Sequence, residues 1–127
     1  MNSAMSTSLT QTSNNTPQYH LRGRFWIASP EGTFLGTGRV MLLERIREHG
    51  SISAAARSMK MSYRQAWQLV QSMNTHSAQP LVTSSTGGKG GGGATLTDTG
   101  ERAILLFREV EQDIGDFMKE RSASIAL

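Results

Sequence analysis

The chain has 127 residues, of which 18% are charged, and it carries a formal net charge of +3 with no cysteine. This length suits one domain with a hydrophobic core but not a second domain of ordinary size, and the absence of thiols excludes disulfides, thiolate metal sites and a cysteine nucleophile. No apolar run reaches the roughly 18 residues that span a membrane, and nothing resembles a secretory signal, so we expect a cytoplasmic protein.

The charges are sorted along the sequence. No acidic residue lies between Glu48 and Asp98, whereas the same interval contains Arg57, Lys60, Arg64 and Lys89. Acidic residues crowd the segment after Asp98. A basic part joined to an acidic part gives a field with one face that attracts a polyanion, and nucleic acid is the usual one.

Residues 1–18 are rich in Ser, Thr, Asn and Gln and are predicted to form a disordered tail, in which Asn2-Ser3-Ala4 before Met5 resembles a cloning remnant. Residues 19–121 are expected to form the folded domain and residues 122–127 a short tail. Apolar and polar side chains alternate from His20 to Ala28, which predicts a half-buried strand that Pro30 and Gly32 end.

Three helices are predicted next. The first runs from about 38 to 49 and ends at Gly50, which tolerates the left-handed conformation. The second covers 51–59 and the third about 63–74, each opening on a serine that is a good N-cap: Ser51 and Ser62. Two short helices joined by a turn of three or four residues predict a helix-turn-helix, whose second helix enters the major groove of DNA.

The third helix has two different sides. Helical periodicity puts Ala66, Val70 and Met73 within one narrow arc, which predicts the buried side. The opposite side carries Arg64, Gln68, Gln71 and Thr75. Each of these can hydrogen-bond to a base edge or a phosphate, and none is acidic.

A glycine-rich hairpin follows. Strands are predicted from Leu81 and over 94–96, and the run 87–93, which contains Lys89, joins them as a wing. A phosphate-binding loop would need Gly-Lys followed by Ser or Thr and then a helix, whereas Gly90 follows Lys89 here and a strand comes next. The expected fold is therefore mainly α with a small β-sheet, of the α+β class: a winged helix-turn-helix.

A long final helix is predicted after Thr97 and Asp98, which cap it, with Glu101 completing a capping box. Its apolar residues recur at alternating steps of four and three: Ala103, Phe107, Val110, Ile114 and Phe117. That period is typical of a coiled-coil seam, although packing on the chain's own core explains it equally well. We expect this helix to mediate dimerisation, and a two-fold dimer predicts an operator that is an inverted repeat.

No residue pattern suggests catalysis. The three histidines, His20, His49 and His76, share no metal-ligand spacing, and the chain has no nucleophile-base pair and no carboxylate pair in an apolar setting. We therefore expect no metal, no cofactor and no enzymatic activity.

Three segments together resemble a known family. Residues 50–56 (GSISAAA), 61–67 (MSYRQAW) and the glycine run before Ala94 resemble the N-terminal DNA-binding domain of ModE-type molybdate-responsive regulators, a winged helix akin to that of the LysR family. The resemblance runs from about Leu21 to Phe117. It implies a dimeric transcription regulator whose recognition helix, residues 62–75, reads the major groove while the wing, residues 85–94, touches the adjacent backbone.

Two departures limit this transfer. Family members continue into domains that hold molybdate, and these 127 residues do not encode them, so molybdate sensing is not expected of this chain. The strand that leads into the wing often carries a charged pair in the family, whereas Thr83-Ser84-Ser85 is neutral here, which puts a phosphate contact at that point in doubt.

The predicted DNA contacts are Ser53, Arg57, Lys60, Ser62, Tyr63, Arg64, Gln68, Gln71 and Lys89. Trp67 is interpreted as a core support of the recognition helix, and for Tyr63 support and DNA contact are equally favoured. Two functions compete. The first is a sequence-specific DNA-binding transcription regulator that acts as a homodimer, and the second is a winged-helix protein-interaction module that no longer reads DNA.

Overall fold

The computed structural model describes residues 18–85 and 92–127, which form two compact units: residues 24–112, and residues 18–23 with 113–127. The elements in chain order are β1 (Ile27–Ser29), β2 (Gly32–Leu35), α1 (Thr37–His49), α2 (Ile52–Ser58), α3 (Tyr63–Thr75), β3 (Val82–Ser85), β4 (Gly93–Leu96) and α4 (Asp98–Ala123). Both hairpins are antiparallel. This is the predicted mainly α, α+β winged-helix architecture.

The first hairpin corrects the predicted N-terminal strand. A strand over 20–28 was wrong: β1 begins only at Ile27, and it pairs with β2, which was not predicted. The Ser29 hydroxyl accepts a hydrogen bond from the Glu31 N–H at 3.1 Å within the turn. Phe25 lies before the strand, and its ring stacks on Phe107 with the ring centroids 4.7 Å apart.

The helix starts and ends follow local sequence signals. The hydroxyl of Ser51 accepts from the Ala54 N–H and that of Ser62 accepts from the Gln65 N–H, both at 3.0 Å, so the two predicted N-caps are confirmed. Gly50 ends α1 with φ 79°. These contacts satisfy backbone groups that a helix end otherwise leaves unpaired.

The core of residues 24–112 is built by the three short helices and the first half of α4. Its largest fully buried side chains are Leu35, Val40, Leu42, Leu43, Ile46, Val70, Met73, Leu81 and Phe107. On α3 the buried residues are those that the periodicity predicts: Ala66, Val70 and Met73. The core therefore fixes which side of α3 faces away from the protein.

The second hairpin is tied to the helix-turn-helix at its base. The Asn74 side chain at the end of α3 accepts from the N–H groups of Leu81 and Val82 and donates to the carbonyl of Val82. The N–H of Ala94 donates to the Gly50 carbonyl between α1 and α2 at 2.9 Å. The base of the wing consequently has a defined position relative to α3.

The start of α4 differs from the prediction in one detail. Thr97 is the N-cap, because its hydroxyl accepts from the Gly100 N–H at 3.0 Å. Glu101 does not complete a capping box with Asp98; its carboxylate pairs with Arg47 of α1 at 2.6 Å.

A second ion-pair group joins α4 to α1. The Arg108 guanidinium donates to both carboxylate oxygens of Glu44, at 2.7 and 3.2 Å, and to Glu111 at 2.8 Å. Hydrogen bonds to Glu44 and then to Glu111 raise the pKa of Arg108. Three acidic residues outside the acid-free interval, Glu44, Glu101 and Glu111, therefore form ion pairs with Arg47 or Arg108.

Two glycines of α4 provide a matched test of this packing. A Cβ on Gly100 would lie 2.3 Å from the Leu81 carbonyl oxygen, whereas a Cβ on Gly115 would meet nothing within 4 Å. Alanine is the better helix former by about 1 kcal/mol. We expect Gly115→Ala to raise the free energy of unfolding by up to about that amount and Gly100→Ala to lower it by roughly 2–4 kcal/mol. Urea unfolding of both variants measures this; a neutral Gly100→Ala would show that α4 does not approach Leu81 so closely.

Candidate nucleic-acid interface

The turn between α2 and α3 holds a lysine in an uncommon backbone conformation. The N–H of Lys60 donates to the Arg57 carbonyl and that of Met61 donates to the Ala56 carbonyl, which is the Schellman pattern of helix ends. Lys60 has φ 55°, and among the described residues it is the one non-glycine with positive φ. Glycine usually occupies this position because it avoids a Cβ clash. An amine is therefore present at a position where the backbone alone favours glycine.

Lys60 can be tested by two substitutions. Lys60→Gly removes the amine and relieves the backbone strain, so we expect the free energy of unfolding to rise by about 0.5–1 kcal/mol. Lys60→Ala removes the amine and keeps the strain, so stability should stay near that of the unmodified protein. If the amine contacts a phosphate, both variants weaken DNA binding equally, as fluorescence anisotropy would measure. Wild-type affinity in both variants would remove Lys60 from the interface.

The outward side of α3 is polar and unpaired. Arg64, Gln68 and Gln71 are exposed, and their side chains make no hydrogen bond or ion pair within the described part of the chain. Ser62, at the start of the helix, accepts from the Gln65 N–H, and its hydroxyl proton remains a donor. Acidic residues are absent from the first turn of α3. The helix thus presents donors and acceptors that no neighbouring side chain occupies.

Two further predicted contacts lie on α2. Arg57 and Ser53 are one turn apart and exposed, and the Arg57 guanidinium donates to the Ser53 hydroxyl at 3.1 Å. This bond orients the guanidinium and leaves most of its five N–H donors free.

The wing is described only at its base. Thr83, Ser84 and Ser85 of β3 are exposed, whereas Lys89 and the neighbouring glycines lie outside the described residues. The predicted contact of Lys89 therefore stays a prediction.

The two aromatic residues of α3 are more exposed than expected. Trp67 exposes 44% of its surface and Tyr63 exposes 54%. Trp67 is not one of the buried residues of α3, which are Ala66, Val70 and Met73, although more than half of its surface is covered. At about 100° per residue, Trp67 and Tyr63 lie on the flank between the buried and the polar sides of α3.

Arg39, which no sequence pattern marked, supports α3 from α1. Its Nη1 donates to the carbonyls of Thr33 and Phe34 at 3.1 and 3.5 Å and to the Ser72 hydroxyl at 2.9 Å. Burial lowers the pKa of this guanidinium, which still remains charged at neutral pH. Arg39 links the first hairpin to α3 and adds a positive charge at the flank of α3.

The predicted dimerisation residues of α4 divide into two groups. Ala103 and Phe107 lie in the chain's own core, where a second copy cannot contact them. Val110 and Ile114 are half-buried, and Phe117 exposes 58% of its surface. Leu105 and Leu106, at 64% and 51%, are also exposed.

Other kinds of site find no support in residues 18–85 and 92–127. No group of three or more His, Asp or Glu side chains there could hold a metal ion. Within the same ranges, no helix is long and apolar enough to cross a membrane.

The chain is similar to curated bacterial proteins. It is 44% identical over 96 residues to the molybdenum-pterin-binding protein MopB of Rhodobacter capsulatus, covering 76% of this chain and 36% of that protein. It is 41% identical over 93 residues to the molybdenum transport protein ModE of Azotobacter vinelandii, covering 71% of this chain and 34% of that protein. It is 40% identical over 93 residues to the DNA-binding transcriptional dual regulator ModE of Escherichia coli, covering 71% of this chain and 36% of that protein. The match thus spans about a third of each relative, and it confirms the ModE-type resemblance.

A solved structure has the same fold. The structure of a mutant of Lactococcus lactis ZitR superposes with a TM-score of 0.50 at 13% identity, covering 97% of this chain and 81% of that one. At this identity the likeness concerns the fold alone, and it agrees with a winged helix.

A family model covers the helix-turn-helix and the whole wing segment. The model of the bacterial regulatory helix-turn-helix proteins of the lysR family matches residues 38–101. That description, like the name of the Escherichia coli relative, is that of a regulator and not of an enzyme. Because the match covers half of the chain and includes α1, α2 and α3, this protein belongs to the lysR family of bacterial regulatory helix-turn-helix proteins.

Proposed function

We propose that this protein is a sequence-specific, DNA-binding transcription regulator that acts as a cytoplasmic homodimer. In this proposal the segment 62–75, which contains α3, lies in the major groove and the wing segment 85–94 lies on the adjacent backbone. The observation that carries the proposal is the outward side of α3, where Arg64, Gln68 and Gln71 are exposed and unpaired within the described residues.

The shape and chemistry of that side suit the major groove. The groove is about 12 Å wide and admits one α-helix, and a helix with side chains has a diameter of about 10–12 Å. Arginine pairs with the O6 and N7 of guanine, and glutamine with the N6 and N7 of adenine. A helix with one arginine and two glutamines on its outward side therefore carries side chains that can distinguish guanine and adenine from the other bases.

Other residues would position α3 on the backbone. The N–H groups at the start of α3 and the Ser62 hydroxyl favour an anion, because the helix dipole is positive at that end. Arg57 and Ser53 on α2, Lys60 in the turn and Lys89 in the wing would add phosphate contacts. These contacts fix orientation and carry no sequence information.

The name of one relative supports the same role. The Escherichia coli protein, 40% identical over the matched region, is named a DNA-binding transcriptional dual regulator. The match includes the residues of the proposed interface. Because it covers only about a third of that protein, the molybdenum-related names of other relatives are not part of the proposal.

One observation favours the second candidate function. Protein-binding surfaces use aromatic anchors, and Tyr63 and Trp67 are exposed on α3. A winged-helix interaction module would place them in a hydrophobic pocket of a partner protein. The exposed side chains around them are polar, and none of them is acidic. This favours DNA as the partner, since protein–DNA interfaces are more polar and more positive than protein–protein interfaces.

A salt titration separates the two candidates. Lysine and arginine release condensed counterions, about 0.9 for each neutralised phosphate, when they bind a duplex. With five or so phosphate contacts, affinity for any duplex should fall by about 10²–10³ between 50 and 200 mM salt. Fluorescence anisotropy on a random-sequence duplex measures this slope. Absence of binding even at the lower salt concentration would reject the regulator and leave the interaction module.

A further inference from the structure

Trp67 is the largest side chain on the outward part of α3, and the core does not account for it. It exposes 44% of its surface although Ala66 and Val70, its neighbours on the helix, are buried. Burial of the exposed part of an indole in a complex is favourable, by about 25 cal/mol per Å² of apolar surface covered. The question is which partner covers Trp67.

The position of Trp67 on α3 favours DNA as the partner that covers it. At about 100° per residue, Trp67 lies about 40° from Gln71 and about 60° from Arg64. It also lies in the first half of α3, whose N-terminal residues reach base edges in a helix-turn-helix. Trp67 also lies about 60° from the buried Val70, so its ring stands at the edge of the polar side, adjacent to Gln71.

The major groove offers one apolar group, the C5 methyl of thymine. We propose that the indole of Trp67 covers a thymine methyl and makes the protein select thymine over cytosine and uracil at that position. Tyr63 lies one turn earlier on α3 and exposes 54% of its surface. This inference rests on the proposed DNA-reading function and adds one specificity-determining residue to it.

The thymine methyl can be removed without disturbing base pairing. Deoxyuridine differs from thymidine in that methyl alone. The preferred duplex, recovered by selection from a random library, is resynthesised with one thymine at a time replaced by uracil, and binding is measured by anisotropy. Covering one methyl is worth about fourfold in affinity, so we expect at least one thymine in each half-site whose replacement weakens wild-type binding by that factor.

Two variants assign the effect to one residue. In Trp67→Ala the same uracil replacement should leave affinity unchanged, because the ring that sensed the methyl is gone. Trp26→Ala removes the other tryptophan, which is also exposed and lies outside α3, and the roughly fourfold loss should persist. In Trp26→Phe, Trp67 is the single tryptophan, and its emission should change when the preferred duplex binds.

Each outcome decides the proposal. Uracil sensitivity that survives in Trp67→Ala, or a wild-type protein that tolerates uracil at every thymine, overturns the role of Trp67 while the DNA-reading function stands. An unchanged emission of Trp67 on binding also overturns it. Failure to recover any preferred duplex rejects the DNA-reading function itself, and the thymine contact with it.

Discussion

Replacing Arg64 or Gln68 with alanine should weaken binding to the preferred duplex by roughly 1–3 kcal/mol, about five- to 150-fold, and barely change binding to random DNA. The reason is that both side chains lie on the outward side of α3, exposed and without a partner in the described part of the chain. Hydrogen bonds to base edges form only on the preferred sequence, so their loss weakens binding only there, whereas hydrogen bonds to phosphates form on every sequence. Anisotropy with the two duplexes gives the ratio directly.

Two control variants make this result specific. Lys89→Ala should weaken both duplexes similarly and lower the salt slope by about one, because one phosphate contact is lost. Arg102→Ala removes an exposed arginine of α4, whose guanidinium donates to the Thr99 hydroxyl, and should change neither affinity by much. Equal losses on both duplexes from Arg64→Ala and Gln68→Ala would show that α3 does not read bases.

Leu106→Asp should convert the protein from a dimer to a weakly DNA-binding monomer. Leu106 exposes 51% of its surface, and helical periodicity places it about 40° from Val110, which is half-buried. We propose that these side chains meet a second copy, so a carboxylate among them would be desolvated at a cost of several kcal/mol. Because Leu106 is exposed in the single chain, the change should leave the fold intact.

The neighbouring residue provides the control. Leu105 exposes 64% of its surface and lies about 100° away around α4. Leu105→Asp should therefore leave the dimer unchanged. Sedimentation velocity compares the two variants and the unmodified protein. If the unmodified protein is a monomer at concentrations at which it binds DNA tightly, the dimer is contradicted. If Leu105→Asp dissociates the dimer and Leu106→Asp does not, the dimer interface lies on the side of α4 that carries Leu105.

Features that depend on neighbouring residues were predictable from the sequence. The caps by Ser51 and Ser62 were found because an N-cap bonds to an N–H three residues ahead. The buried side of α3 was predictable because the spacing of 3.6 residues per turn determines which apolar residues share one side of a helix. The core around Val70 confirms that period.

Features that depend on distant residues were not predictable. Arg39 supports α3 through Ser72, 33 residues away, and no local pattern marks such a bond. The heptad-like spacing on α4 could not tell a side chain that packs on its own core, such as Phe107, from one that remains exposed, such as Phe117.

The central claim is that a dimer reads DNA sequence through two copies of α3, and selection from a random duplex library tests it most directly. We expect repeated rounds with the unmodified protein to enrich an inverted repeat whose half-site centres lie about 10–10.5 base pairs apart, or a multiple of that distance. Enrichment of a single unrepeated site would contradict the dimer. A library that remains random after selection, although the protein binds it in a salt-dependent way, would contradict sequence reading by α3.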